Sequence, residues 1–276
     1  MAKRFSFWWI PAVLFVISWL LIAGGPFVFQ IITTFKTQGE FIYGGLFTLP
    51  HSLNFENYTR ILGSEFYRYF LNSIIVITIS LTLLLCISAF AAYPLSRMQF
   101  KLNKPIYGII VAVMSIPIHI TLIPVFLMTI RLKLYDSVFA LIGPNVAFNL
   151  PMSIFILHSF MLSISREMEE AAEIDGCGKF AVFFRVIFPL SKPGLATLAI
   201  YNGVVIWNEF IYAMVLTQSR AAQTLPLAIW EYQGQYAINT PMIMTLLFLS
   251  SLPVILLYIM TQDKLIKGMM AGAIKG

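Results

Sequence analysis

The stretch Ser165-Arg166-Glu167-Met168-Glu169-Glu170-Ala171-Ala172-Glu173-Ile174-Asp175-Gly176, carried on through Lys179 and Arg185 to Pro189-Leu190-Ser191-Lys192-Pro193, decides how this chain is read. Nine charged side chains crowd into it, in a sequence that is only 11% charged and 59% hydrophobic. A soluble domain would be about one-quarter charged, so most of this chain belongs in lipid. Local signals give the stretch a shape. Ser165 is placed to cap a helix whose first turn carries acids, where the helix dipole favours them. Gly176 is placed to end that helix, because the residue past a helix C-terminus often needs a positive φ. A second short helical piece, mostly apolar, runs from Lys179 to Phe188 and is expected to stop at Pro189. Composition alone leaves open an ordinary solvated connection between two spans.

Charged residues mark the spans around it. The intervals Arg4 to Lys36, Arg68 to Arg97, Lys104 to Arg131, Asp136 to Arg166, Lys192 to Arg220 and Glu231 to Asp263 are free of charge, except that the fifth contains Glu209. Each exceeds the roughly 20 residues that a helix needs to cross hydrocarbon. Helices are the only economical choice, since the backbone must satisfy its own hydrogen bonds and the runs lack the alternation of barrel strands. The reading is an all-α integral membrane protein, one domain over residues 1–276. Its spans fall near 8–34, 69–95, 105–130, 137–163, 194–218 and 240–262, with the charged loop at 165–193.

Six spans place both termini on one side. With the N-terminus inside, twelve of the basic residues, among them Arg97, Lys101, Lys104, Arg166 and Lys179, face the cytoplasm and six face outward. That bias follows the positive-inside rule and puts the charged loop in the cytoplasm. It also accounts for the net charge of +6 without nucleic acid, since basic residues do not cluster with aromatics on a polar segment. Cys86 and Cys177 suggest neither a disulfide framework nor a metal site and read as packing residues. The apolar run after Met1 is long and lacks a small-residue cleavage site, so it reads as an uncleaved first span.

Glu170-Ala171-Ala172, three residues to Gly176 and nine more to Val186-Ile187-Phe188-Pro189 resemble the EAA loop of ABC importer permeases, with Val186 and Phe188 as mild departures. Further motifs are Phe35-Lys36-Thr37, Phe55-Glu56-Asn57-Tyr58 (a short helix capped by Asn54), Asn72-Ser73, Ala92-Tyr93 with Arg97, Trp207-Asn208-Glu209-Phe210, Thr224-Leu225-Pro226-Leu227 and Gly272-Ala273-Ile274-Lys275-Gly276. Together they are similar to the carbohydrate, maltose-type branch. The resemblance implies the type I importer permease fold: six transmembrane helices and a coupling loop seated on a cytoplasmic ATPase. It further implies that Glu170, Ala171, Ala172, Asp175 and Gly176 couple to that ATPase. The implied partners are a second permease, two ATPase subunits that hold ATP and Mg, an external substrate-binding protein and a carbohydrate. Tyr232, Gln233, Gln235 and Tyr236 would lie in the loop that meets the binding protein. No Gly-x-x-x-x-Gly-Lys-Ser/Thr loop is present, so this chain is expected to bind no cofactor and to have no catalytic site.

Polar residues inside the spans complete the reading. Pro117, Pro124, Pro144 and Pro151 free carbonyls and bend helices where protein or a cavity covers the break. Asn145 and Asn149 are four apart and share one face, suited either to a sugar-compatible wall or to hydrogen bonding within the bundle. With Asn72, Asn208 and Glu209 they are the pathway candidates. Glu209 is the one acid within a span, a functional candidate by default; a proton-coupling role would call for further acids or bases at its depth. His119 and His158 read as packed side chains. An ion-driven secondary transporter and a membrane enzyme are the rivals, and the charged loop and the lack of a nucleophile–base pair argue against them.

Overall fold

In the computed structural model, which describes residues 9–45, 47–235 and 239–273, the described residues form helices and no strand. In chain order the helices are α1 (Trp9–Thr34), α2 (Gln38–Tyr43), α3 (Glu56–Leu62), α4 (Phe66–Arg97), α5 (Asn103–Val113), α6 (Leu122–Arg131) and α7 (Ile142–Leu162). There follow α8 (Glu167–Ile174), α9 (Lys179–Val182), α10 (Phe188–Leu190), α11 (Lys192–Trp207), α12 (Ile211–Leu216), α13 (Leu225–Gln235) and α14 (Thr240–Ala273). Four stretches can cross a bilayer unbroken: Pro11–Thr34, Phe66–Arg97, Val138–Leu162 and Thr240–Ile259. Two bent pairs also qualify, Asn103–Val113 with Ile118–Arg131 and Lys179–Leu190 with Lys192–Trp207. Counting each pair as one gives six spans.

The breaks have local causes. The third span turns by 91° ahead of Ile118. Pro117 lacks an N–H and is itself extended (φ −62, ψ 122), so the helix that ends at Val113 is not continued and the chain restarts as a 3₁₀ turn at Ile118–Thr121. Pro124 and Pro151, by contrast, remain inside α6 and α7. The fifth span, expected over 194–218, is interrupted at Asn208–Phe210. Helical structure does not stop at Pro189 as expected. Phe183–Ile187 widen into a π-turn and α10 carries on through Pro189, with a 66° bend only beyond it. A widened turn relieves the clash between a proline ring and the preceding carbonyls.

The described residues pack as two units. One comprises the described residues within 1–67 and 229–252. There Thr37 and Glu40 form a capping box at the start of α2. Asn54 Oδ1 accepts the Glu56 N–H at 2.8 Å, capping α3 as expected. Asn57 Nδ2 donates to the carbonyls of Thr34 and Lys36 at 3.0 Å each, tying α3 to the end of α1. Lys36 is wholly buried, its ammonium donating to Gly45 O and Thr48 Oγ1.

The second unit comprises the described residues within 68–228 and 253–276 and holds the charged loop. Its core has two clusters. One joins Ala89, Ala92 and Tyr93 of α4 to Leu157 and Met161 of α7 and to Val182, Phe183 and Ile187 of the loop. The other gathers Val76, Leu141, Ile206, Tyr212 and Leu216 toward the opposite ends of the helices. Gly194 lets α11 lie close on α7, since a Cβ there would sit 2.8 Å from the Phe160 ring. Cys86 is exposed rather than packed.

Candidate functional site

The charged loop folds into a knuckle of short helices. Ser165 Oγ accepts the N–H of Glu167 at 3.3 Å, satisfying one of the orphan donors at the start of α8. At the other end Gly176 takes φ +82, and the N–H groups of Gly176 and Cys177 donate to the carbonyls of Glu173 and Ala172. This is a Schellman closure, with glycine where an L side chain would be strained. A Cβ at Gly176 would meet nothing within 4 Å in this chain, so it is the backbone conformation that calls for glycine here.

The two faces of α8 differ. Ala172 is half-buried against the cluster of Leu157, Met161, Val182 and Phe183. Glu170, Ala171, Glu173, Asp175 and Gly176 are exposed, with Ile174 86% exposed beside them. Phe180, at the start of α9, is 79% exposed. Of the five coupling candidates, four therefore stand outward and Ala172 turns inward. A short helix offering large apolar side chains between acids is a surface suited to a protein partner.

Three anchors hold the knuckle to the membrane helices. Tyr93 Oη donates to the Lys179 carbonyl at 3.1 Å, and its ring lies 4.9 Å from that of Phe183. Val182 and Ile187 fill the cluster beneath. Arg97, the last residue of α4, donates through Nη2 to the carbonyls of Met161 and of Ile164, the latter at 2.7 Å. Its Nε lies 2.9 Å from Glu169 Oε1 on α8, with only 3% and 16% of the two side chains exposed. Burial pushes the Glu169 carboxyl above the usual carboxylate range, while Arg97 and Arg166 draw it back. The sequence drew attention to Arg97 as part of a motif but not to Glu169. The signal was an arginine at a span end and an inward-facing acid on α8, with nothing local to show that they meet.

Each of the pathway candidates has a hydrogen-bond partner. Asn72 Nδ2 donates to the carbonyls of Ala221 and Gln223 at 2.9 and 2.8 Å, and Ser73 Oγ accepts the Leu225 N–H at 2.9 Å. Two of the sequence motifs thus grip each other. Asn145 and Asn149 donate to carbonyls four residues back, Leu141 O and Asn145 O, and Ser153, which accepts from the buried Asn202, continues the stripe. Asn208 is exposed and donates to Val204 O. Glu209 accepts the N–H groups of Tyr212 at 2.6 Å and Ala213 at 3.1 Å, capping α12 with a carboxylate where the helix dipole is positive. Ser73, Asn145, Glu209 and Thr224 line a cavity of about 10 Å³, room for one water and not for a sugar. Tyr232, Gln233 and Gln235 fall on α13, and Tyr236 lies outside the described residues. His158 stacks on Tyr107 at 4.2 Å, and no His/Cys/Asp/Glu group suited to a metal occurs among the described residues.

Comparison with known proteins bears on this arrangement. The chain is 51% identical to the ABC transporter permease protein ORF2 of Caldicellulosiruptor sp. (strain Rt8B.4), covering 95% of this chain and 96% of that one. It is 32% identical to the melibiose/raffinose/stachyose import permease protein MelC of Bacillus subtilis (strain 168), covering 91% of each. A crystal structure of a bacterial ABC transporter involved in import of the acidic polysaccharide alginate has a chain that superposes with a TM-score of 0.83, at 22% identity over 95% of this chain and 98% of that one. That likeness establishes the fold, a type I importer permease. Residues 84–269 match the binding-protein-dependent transport system inner membrane components. With that match over most of the chain and these relatives along its length, the chain belongs to the family of ABC importer permeases, membrane-embedded transport subunits that work with a substrate-binding protein and an ATPase.

Proposed function

We propose that this permease carries a sugar or related polyol compound, and that α8 is the coupling helix through which a cytoplasmic ATPase drives it. The observation that carries the reading is the outward face of α8. Glu170, Ala171, Ile174 and Asp175 are exposed on a helix whose other face is fixed to the membrane helices by Ala172, Glu169 and the loop cluster. Relatives named for import of melibiose, raffinose and stachyose and for transport of sulfoquinovosyl glycerol support a carbohydrate substrate. In this reading a sister permease completes the pathway, and two ATPase subunits hold ATP and Mg. The binding protein delivers substrate to the side opposite the knuckle. The basic excess on the knuckle side supports a cytoplasmic position for both termini.

The mechanism needs one thing of energetics: ATP must bind the closed ATPase pair, and with it one global state of the permease, better than the other. Closure then displaces α8, and the helices to which it is fixed alternate the pathway between the two sides. Glu170→Lys tests this. Its side chain is exposed, so the variant should insert and keep its sister permease. It should lose ATPase docking and substrate-stimulated ATP hydrolysis by roughly tenfold or more, the scale of a lost interfacial charge contact. The exposed non-motif acid serves as control through Glu167→Gln. Normal docking and hydrolysis in Glu170→Lys would make the knuckle a mere solvated connection.

A further inference from the structure

We propose that Arg97 is a positioning residue that joins α8 to the loop-side ends of α4 and α7, so that displacement of the coupling helix moves both membrane helices together. The inference rests on the importer reading above and concerns how that motion is transmitted. Three elements converge on one guanidinium: it terminates α4, donates to the Met161 and Ile164 carbonyls at the end of α7, and faces Glu169 of α8 at 2.9 Å.

The geometry asks for arginine. The last carbonyls of a helix have no intrahelical partner, and a cation there also meets the negative end of the dipole. Arginine's planar fork serves two carbonyls through one nitrogen while another faces a carboxylate; a lysine ammonium is a single point that cannot span all three. The pair is also nearly shut off from water. Arg97 Nε and Glu169 Oε1 are in ion-pair contact without hydrogen-bond alignment. Burying two charges is offset only when geometry is good, so such a pair does little for stability and fixes arrangement instead. Burial holds the Glu169 carboxyl above its usual range, consistent with a pair that costs the fold something when ionised. Of the other two anchors, Tyr93 to Lys179 holds the α9 half of the knuckle, and the apolar cluster takes Ala172 of α8 as well as Val182 and Phe183. Glu169 is the ion-pair contact from α8 itself.

The test uses the full complex with its sister permease, ATPase and binding protein, reconstituted in liposomes with radiolabelled raffinose and melibiose as probes. Arg97→Gln and Arg97→Lys should each lower sugar moved per ATP hydrolysed by roughly tenfold, a typical coupling contact. Glu169→Gln should lower it in the same direction, and the double variant Arg97→Gln/Glu169→Gln should be no worse than Arg97→Gln alone. Glu167→Gln should leave the ratio unchanged. Spin labels at Gln99 and Glu173 should show one narrow distance in wild type and a broadened one in Arg97→Gln. A purely structural role would lower yield or thermal midpoint and leave the ratio and the distance alone, which would overturn the proposal. If the Arg97 variants fail to assemble, Glu169→Gln decides, because it leaves both carbonyl bonds in place; a wild-type ratio there also overturns it. Absence of ATP-driven uptake by the wild-type complex would overturn the importer reading, while the label distances would still report whether the junction holds.

Discussion

Gly176 shows how much one residue can specify. Its φ of +82 closes α8 and turns the chain toward α9. A β-branched side chain at such a φ is strained by roughly 1–3 kcal/mol, while asparagine tolerates it. Because the space around the glycine is open, the backbone alone sets the requirement. Gly176→Asn should therefore keep uptake near wild type, and Gly176→Val should insert normally yet lose most substrate-stimulated ATP hydrolysis. Equal loss in both variants would point to side-chain crowding instead. Local features of this kind were legible in the sequence: Ser165, Gly176 and Asn54 act within a few residues of themselves. Arg97 with Glu169, and Asn72 with Ala221 and Gln223, were not, because packing chooses partners that lie far away along the chain.

At the scale of elements, the charged residues mark six apolar intervals but not their breaks. Pro117 announces its own bend. The interruption at Asn208–Phe210 has neither proline nor glycine to mark it, and exists because the Glu209 carboxylate caps a new helix within the span. The one acid within a span has both oxygens committed to backbone N–H groups. Connections outside the spans are also built. Asp136, in the left-handed region at φ 58, accepts from Gln218 N, Ser219 N and Ser219 Oγ, joining the entry of the fourth span to the exit of α12. Those backbone N–H donors hold its carboxyl below the usual aspartate range. A depressed folded value means that the stabilisation is present at neutral pH and is lost as pH falls through that value. Asp136→Gly removes the acceptor and keeps a residue comfortable at positive φ. It should cost about 1 kcal/mol near neutral pH, and the thermal-midpoint difference from wild type should close only below the ordinary aspartate range. A difference independent of pH would assign the effect to the backbone.

For the whole molecule, orientation and energy source belong together. If the knuckle meets a cytoplasmic ATPase, a cysteine at the exposed Gln99 should react with impermeant reagents only from the cytoplasm, and one at the exposed Ser52 only from outside. The reverse pattern would place the knuckle on the wrong side. The most direct measurement is sugar uptake by the complete complex in sealed liposomes, with a radiolabelled sugar that its binding protein retains. The account predicts uptake that requires ATP on the knuckle side and persists when ionophores collapse proton and sodium gradients. Uptake driven by an ion gradient with the ATPase absent would contradict it.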